Sequence, residues 1–242
     1  MKLENVNVKV LSANATKLVA CFFMLIDHIG AYLFPGVGWF RVLGRLAFPL
    51  FAFFISQGCK YSKNKIKRLI FMAAFAIGCE LIFNVCIGMV SGNILLTFTL
   101  SILLIYAYQF MIQNLKDNSV SVLKKILYPL SFLLVLVLLF FFVECIELEY
   151  GFFGVITPLL VTVFDLDIYN IASPYSNLFR ILGLFIGVSL VVLASPIIQF
   201  FSYLSILVLL FYNNKRGSYK MKYLFYVFYP FHLLVIYFLT LI

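Results

Sequence analysis

A repeated apolar run of bilayer length constrains this chain more than any other feature. Across 242 residues, blocks of near-uncharged sequence alternate with short polar connections. A helix needs about 20 apolar residues to cross a hydrocarbon core. Spans are readable at 15–34, 38–57, 66–89, 93–113, 124–143, 149–166, 178–194, 196–212 and 223–241. The seventh and eighth are short and meet at Ser195-Pro196, a pattern compatible with half-helices or a re-entrant pair. The chain is 64% hydrophobic and 11% charged, whereas soluble domains run about 45–50% and about 25%. Too little polar sequence remains to coat a soluble globule. The expected fold is all-α: a polytopic membrane helix bundle of about nine transmembrane helices, forming one integral membrane domain over 1–242.

The basic residues set the expected orientation. Stretch 59–68 holds Lys60, Lys63, Lys65, Lys67 and Arg68. Loop 114–125 holds Lys116, Lys124 and Lys125, and loop 213–222 holds Lys215, Arg216, Lys220 and Lys222. Positive loops stay in the cytoplasm. Nine spans put all three on the side of the N-terminus, with its Lys2, Lys9 and Lys17, and leave the C-terminus outside. Loop 167–177 is assigned inside without basic support. Connections 35–37, 90–92 and 144–148 carry no Lys or Arg and face out. The net charge of +9 would raise nucleic acid as a partner in a soluble chain. No zinc-finger spacing, nucleic-acid motif or Gly-rich phosphate loop accompanies it here, so nucleic acid is not an expected partner. The five cysteines show no disulfide or metal spacing and read as small hydrophobes. No cleavable signal is expected, because the first apolar run is too long and its small residues precede it.

Charge inside a span costs several kcal/mol, roughly 2.5–3.5 for Asp, and persists where the group pairs or does chemistry. Asp27 and His28 sit side by side in the first span, and Arg41 and Arg45 in the second. His28 lies about 20 Å along a helix starting inside, at 1.5 Å per residue, so it belongs to the outer half. The two arginines enter from outside to a similar depth, four residues apart on one face. Adjacent residues point different ways, so Asp27 is expected to pair across the hairpin and leave His28 for a ligand. Pro49, four after Arg45, is placed to bend the second span and open backbone groups to a cavity. Glu80, Asn93, Thr97, Thr99, Glu149, Tyr150 and His232 fall at comparable heights and are candidates for a shared pocket wall. Structural readings stand beside these: a buried ion pair for Asp27 and Arg45, a satisfied core histidine for His28 or His232, and packing polarity for Glu80. Tyr106, Tyr150, Tyr223 and Tyr226 fit interfacial aromatic belts.

The strings FMLIDHIGAYLFP at 23–35 and GRLAFPLFAFFI at 44–55 resemble the TraX family of integral membrane proteins. NILLTFTL at 93–100, ELEYGFFGV at 147–155 and KYLFYVFYPFHLL at 222–234 continue the resemblance in order. The name-giving member is associated with N-terminal acetylation of a conjugative pilin, and the family looks similar to a wider group of transmembrane acyltransferases. The resemblance implies a multi-pass protein of the bacterial cytoplasmic membrane. The implied reaction moves an acyl group from a cytoplasmic CoA thioester, acetyl-CoA above all, to an amine or hydroxyl at the outer face. The acceptor would be a glycan, lipid or protein amine, with membrane lipids as surroundings and no metal. Nothing in the chain points to a pilus. On this reading His28 is the general base, its unperturbed pKa near 6.5 suiting the role. Arg45, helped by Arg41, stabilises the oxyanion or holds the donor, and Asp27 orients an arginine. Arg41, Glu80, Tyr150 and His232 are assigned to substrate, with His232 also a second candidate base. Lys63, Lys65, Lys67 and Arg68 are assigned to the donor phosphates, with pantetheine threading upward. The alternatives are a proton-coupled transporter, against which stands the lack of an inverted repeat, and a membrane assembly factor.

Overall fold

Ser12 opens the first helix: its hydroxyl accepts from the Ala15 N–H, satisfying one of the donors a helix start leaves free. The computed structural model describes residues 10–87, 92–217 and 221–241. Lys2, Lys9, Lys220 and most of connection 90–92 lie outside the described residues, as do the side chains of Cys86, Lys222 and Tyr223. The helices are α1 (Ala13–Tyr32), α2 (Gly38–Gly44), α3 (Ala47–Lys60), α4 (Lys65–Ile87), α5 (Ile94–Lys116), α6 (Val122–Ile146), α7 (Gly151–Val163), α8 (Ser176–Leu193), α9 (Leu204–Leu210) and α10 (Lys222–Thr240). Short 3-10 helices cover Leu166–Tyr169 and Ile197–Tyr203. Among the described residues no strand forms, and Leu11–Tyr212 and Gly92–Leu148 are isolated bridges.

The protein is all-helical with membrane-helix character. Among the described residues five stretches are long and apolar enough to cross a bilayer: Ala13–Tyr32, Gly38–Lys60, Ile94–Lys116, Val122–Ile146 and Ser176–Leu193. Gly151–Val163, Ile197–Leu210 and Leu224–Thr240 are apolar but shorter. The expected eighth span, 196–212, is a 3-10 segment followed by two turns of α-helix.

The second expected span differs in a specific way. It breaks into α2 and α3 at Arg45–Leu46 instead of bending at Pro49. Pro49 sits in the first turn of α3, where a missing N–H is tolerated. That missing donor frees the Arg45 carbonyl, which accepts from Ser202 Oγ at 3.1 Å.

The chain divides into two compact units, one of described residues up to Phe54 and from Pro196 onward, the other Ile55–Ser195. In the first, α1 packs on α2 and α10. Glycines set how closely α1 and α2 approach. A Cβ on Gly44 would overlap the Asp27 carboxylate, and one on Gly30 would overlap Phe40. The chain before α1 is tied to the segment after α9 by Leu11 N–H to Phe211 O (3.0 Å) and Asn213 N–H to Leu11 O (2.9 Å). Lys17 Nζ lies over Phe54 and Phe225, 5.2 and 5.4 Å from the ring centroids.

In the second unit α5 is central, packing on α4, α6 and α7. Its hydroxyls hold α7: Thr97 donates to Glu149 O at 2.9 Å and Ser101 to Val155 O at 2.8 Å. Such side-chain bonds and small residues drive helix association where burial supplies no bias. Helix α8 meets α7 through Gly183 and Gly187, spaced four apart. A Cβ would stand 2.5 Å from Leu160 O at Gly183 and 2.8 Å from Thr157 Cγ2 at Gly187. Gly183→Leu is therefore expected to destabilise the protein by about 1–3 kcal/mol, read as earlier unfolding on titrating purified protein with denaturing detergent.

Candidate functional site

Asp27 and His28 leave α1 in different directions, as adjacent helical residues must. Asp27 faces α2, where it takes two guanidinium groups. Arg41 Nη1 donates to Oδ2 at 2.8 Å and to the Asp27 carbonyl at 3.2 Å. Arg45 Nη2 donates to Oδ1 at 2.7 Å and Oδ2 at 2.9 Å. The pairing read from the sequence is present with both arginines.

The two arginines are not equivalent. All three nitrogens of Arg45 are engaged, with Nε donating to Arg41 O at 3.2 Å and Nη1 to Gln199 Oε1 at 3.3 Å. Gln199 Nε2 donates to Ser202 Oγ at 2.7 Å, and Ser202 donates back to the Arg45 carbonyl. The result is a closed ring of hydrogen bonds around the α2–α3 break. Arg41 stays 35% exposed against 11% for Arg45, and its Nε and Nη2 make no hydrogen bond among the described residues. Arg41 is thus the guanidinium with donors still open, and Arg45 has all its nitrogens engaged, as the structural ion-pair reading of Asp27 and Arg45 requires. One carboxylate faces two cations, so the cluster carries an excess positive charge.

Gln199 and Ser202 escaped the sequence reading. Their signal is a spacing of three within an apolar run. In a 3-10 helix residues i and i+3 eclipse, which lines up Gln199 and Ser202 on one edge.

His28 meets His232 of α10, Nδ1 to Nε2 at 2.9 Å. His232 Nδ1 lies 2.7 Å from the Phe228 carbonyl. A carbonyl only accepts, so His232 Nδ1 carries the proton. In the neutral ring Nε2 is then the acceptor, and His28 Nδ1 must donate to it. With Nδ1 protonated, the lone pair of the neutral His28 ring sits on Nε2, and the ring also makes a hydrogen bond to the Met24 backbone. His232 is buried and its ring stacks on Phe228, centroids 4.7 Å apart. It positions His28 and has no free nitrogen of its own to serve as a base.

The remaining candidates lie in the other unit. Glu80 Oε2 accepts from Asn93 Nδ2 at 2.6 Å and from the Asn93 N–H at 3.1 Å. Asn93 in turn caps α5 through the Leu96 N–H. Glu80 thus fixes a helix start. Tyr150 is half-buried and holds a left-handed conformation (φ 64°) before α7. Of the basic residues, Lys63 and Lys67 are exposed, while Lys65 and Arg68 are partly buried.

A second ionic cluster went unread: of its members only Lys60 entered the sequence reading, as an orientation signal. Lys60 Nζ bonds Asp165 Oδ2 at 2.9 Å and also Asp167. Arg180 approaches Asp165 Oδ1 at 3.1 Å and Asp167 Oδ2 at 2.8 Å. The Nε contact to Asp165 is coulombic, since Nε lacks an aligned hydrogen bond. The quartet fixes the α7–α8 connection to the end of α3.

The TraX protein family model matches residues 12–240. The chain belongs to the TraX family. It is also similar to an uncharacterized protein of Rickettsia prowazekii, 33% identical over 93 residues, 38% of this chain and 36% of that protein. The match thus spans about a third of this curated relative's length. No solved structure matches. The family match takes in both histidines and both arginines of the site.

Two outcomes follow from the charges. Asp27→Ala strands two guanidiniums and is expected to cost about 3–5 kcal/mol, the usual result of removing one partner from a buried pair, measured by unfolding in detergent. Asp167 is held below the ordinary carboxylate range by the Lys60 hydrogen bond, against some desolvation, with the Lys60 and Arg180 charges and Ser176 adding to the effect. A depressed folded-state pKa gives stability that is complete above the ordinary carboxylate range and is lost as pH falls through the folded value. Unfolding midpoints should therefore drop on acidification below about pH 4, with a shallower drop in Asp167→Asn.

Proposed function

We propose that this chain is a membrane-embedded acyltransferase. It moves an acyl group, acetyl foremost, from a cytoplasmic CoA thioester to an amine or hydroxyl of a glycan, lipid or protein at the outer face. The observation that carries the reading is the Phe228 carbonyl–His232–His28 chain, which sets the His28 tautomer with its lone pair on Nε2. Nine crossings with a cytoplasmic N-terminus, in a bacterial cytoplasmic membrane, are the topology this reading uses.

His28 Nε2 takes the proton from the acceptor as its nitrogen or oxygen bonds to the thioester carbonyl carbon. The tetrahedral oxyanion is stabilised by the open edge of Arg41, whose charge Asp27 and Arg45 hold in place. The carbon–sulfur bond then breaks, and the departing thiolate takes the proton back from the imidazolium. Lys63, Lys65, Lys67 and Arg68 supply positive charge for the donor phosphates.

Purified protein given labelled acetyl-CoA should transfer the label to an acceptor or hydrolyse the thioester slowly. His28→Gln should lower the rate by about a hundredfold or more, the usual worth of a positioned base. His232→Ala should cost less, about tenfold, and displace the pH–rate profile while KM holds. Proton-coupled solute uptake with no CoA dependence would instead make the protein a transporter. Unimpaired cellular function in alanine variants of Asp27, His28 and Arg41 would make it an assembly factor.

A further inference from the structure

The ion cluster between α1 and α2 is short of one negative charge. Arg41 and Arg45 face the single carboxylate of Asp27. No other acidic side chain occurs in residues 5–54 or 196–242, so the described part of this unit has none to add. A charge left without a partner inside a span costs several kcal/mol. The missing anion is therefore one that the cluster is built to receive.

The open donors collect on Arg41. Arg45 has every nitrogen engaged. Arg41 Nη1 directs its hydrogens at Asp27 Oδ2 and the Asp27 carbonyl. Its Nε–H and both Nη2 hydrogens make no hydrogen bond among the described residues. Nε and Nη2 form one edge of the guanidinium, whose parallel N–H groups fit a carboxylate or a phosphate.

That edge is reachable. Arg41 is partly exposed. Gly38 lies one turn earlier on the same helix face, and a Cβ there would meet nothing within 4 Å. Helical side chains lean toward the preceding turn, so the open space beside Gly38 adjoins the Arg41 edge. The guanidinium is also next to the proposed base. It bonds the carbonyl of the peptide that joins Asp27 to His28, and its charge acts on the His28 ring.

We propose that the Nε–Nη2 edge of Arg41 binds an anionic group, a carboxylate or a phosphate, carried by the acyl acceptor close to the amine or hydroxyl that His28 activates. The assignment to the acceptor rests on the proposed function, whereas anion binding stands without it. The donor is the wrong source, because its uncharged pantetheine arm separates the phosphates from the thioester. The second Nη2 hydrogen stays available to the oxyanion. The anion belongs either to a water-soluble acid or to an anionic lipid headgroup.

The test reads binding with no thioester present, as the thermal midpoint of the purified full chain. One arm adds glucuronate in neutral detergent, with glucose as the uncharged control. The other compares nanodiscs of phosphatidylcholine with and without phosphatidylglycerol. A rise with the anion is expected in at least one arm, with apparent affinity about tenfold weaker in Arg41→Gln and kept in Arg216→Gln, which alters an exposed arginine elsewhere. Arg41→Lys keeps the charge and loses the fork, so it should weaken binding too; it carries the test if Arg41→Gln fails to fold. A rise confined to glucuronate identifies a soluble acid, one confined to phosphatidylglycerol a lipid, and a rise in both an edge that takes either. No rise in either arm, equal rises with glucose and glucuronate, or an Arg41→Gln response equal to wild type overturns the proposal. If the wild type binds the anion yet transfers no acyl group, the proposed function falls and the anion site stands.

Discussion

The first unit depends on how one carboxylate satisfies two guanidiniums. Away from water an unpaired charge is costly, and attraction between opposite charges is strengthened by the same low dielectric. Asp27 has two oxygens, and each accepts from an arginine at 2.7 or 2.8 Å. The pairing requires α1 and α2 to approach very closely, which Gly44 permits by having no side chain where the carboxylate sits. Charge, helix spacing and glycine are therefore one arrangement.

That arrangement passes to the backbone at Arg45. A helix running unbroken from Gly38 to Lys60 would need an N–H at position 49, where proline has none. The freed carbonyl is satisfied by Ser202, and the same serine takes a hydrogen bond from the Gln199 that holds the Arg45 side chain. The break is thus a positioned turn with its polar groups satisfied, as irregular backbone at membrane depth must be. It leaves Arg45 fully occupied and Arg41 with spare donors.

The legible parts were those where rarity is itself a signal. Charge in an apolar run stood out, so Asp27, Arg41 and Arg45 were readable as partners, and helical geometry implied that His28 faces elsewhere. Its destination was not readable, because His28 and His232 are 204 positions apart and no local pattern links them. Pro49 signalled an interruption of the second span, and its site is Arg45–Leu46 because proline acts on the carbonyl four residues earlier. Glu80 and Tyr150 matched the site in expected height alone, and depth along a span carries no information about which unit a residue joins. Lys60 was read only for orientation, and no local pattern links it to Asp165 and Asp167, 105 and 107 positions away.

The glycine at position 44 bears on how the protein enters its membrane. Asp27 emerges from the ribosome before Arg41 and Arg45, and each would partition poorly alone. Drawn together as a tight hairpin, they enter lipid as a far less polar object. The opening pair of helices thereby meets through largely neutralised charge, and residue 44 sets how closely the pair can fold together.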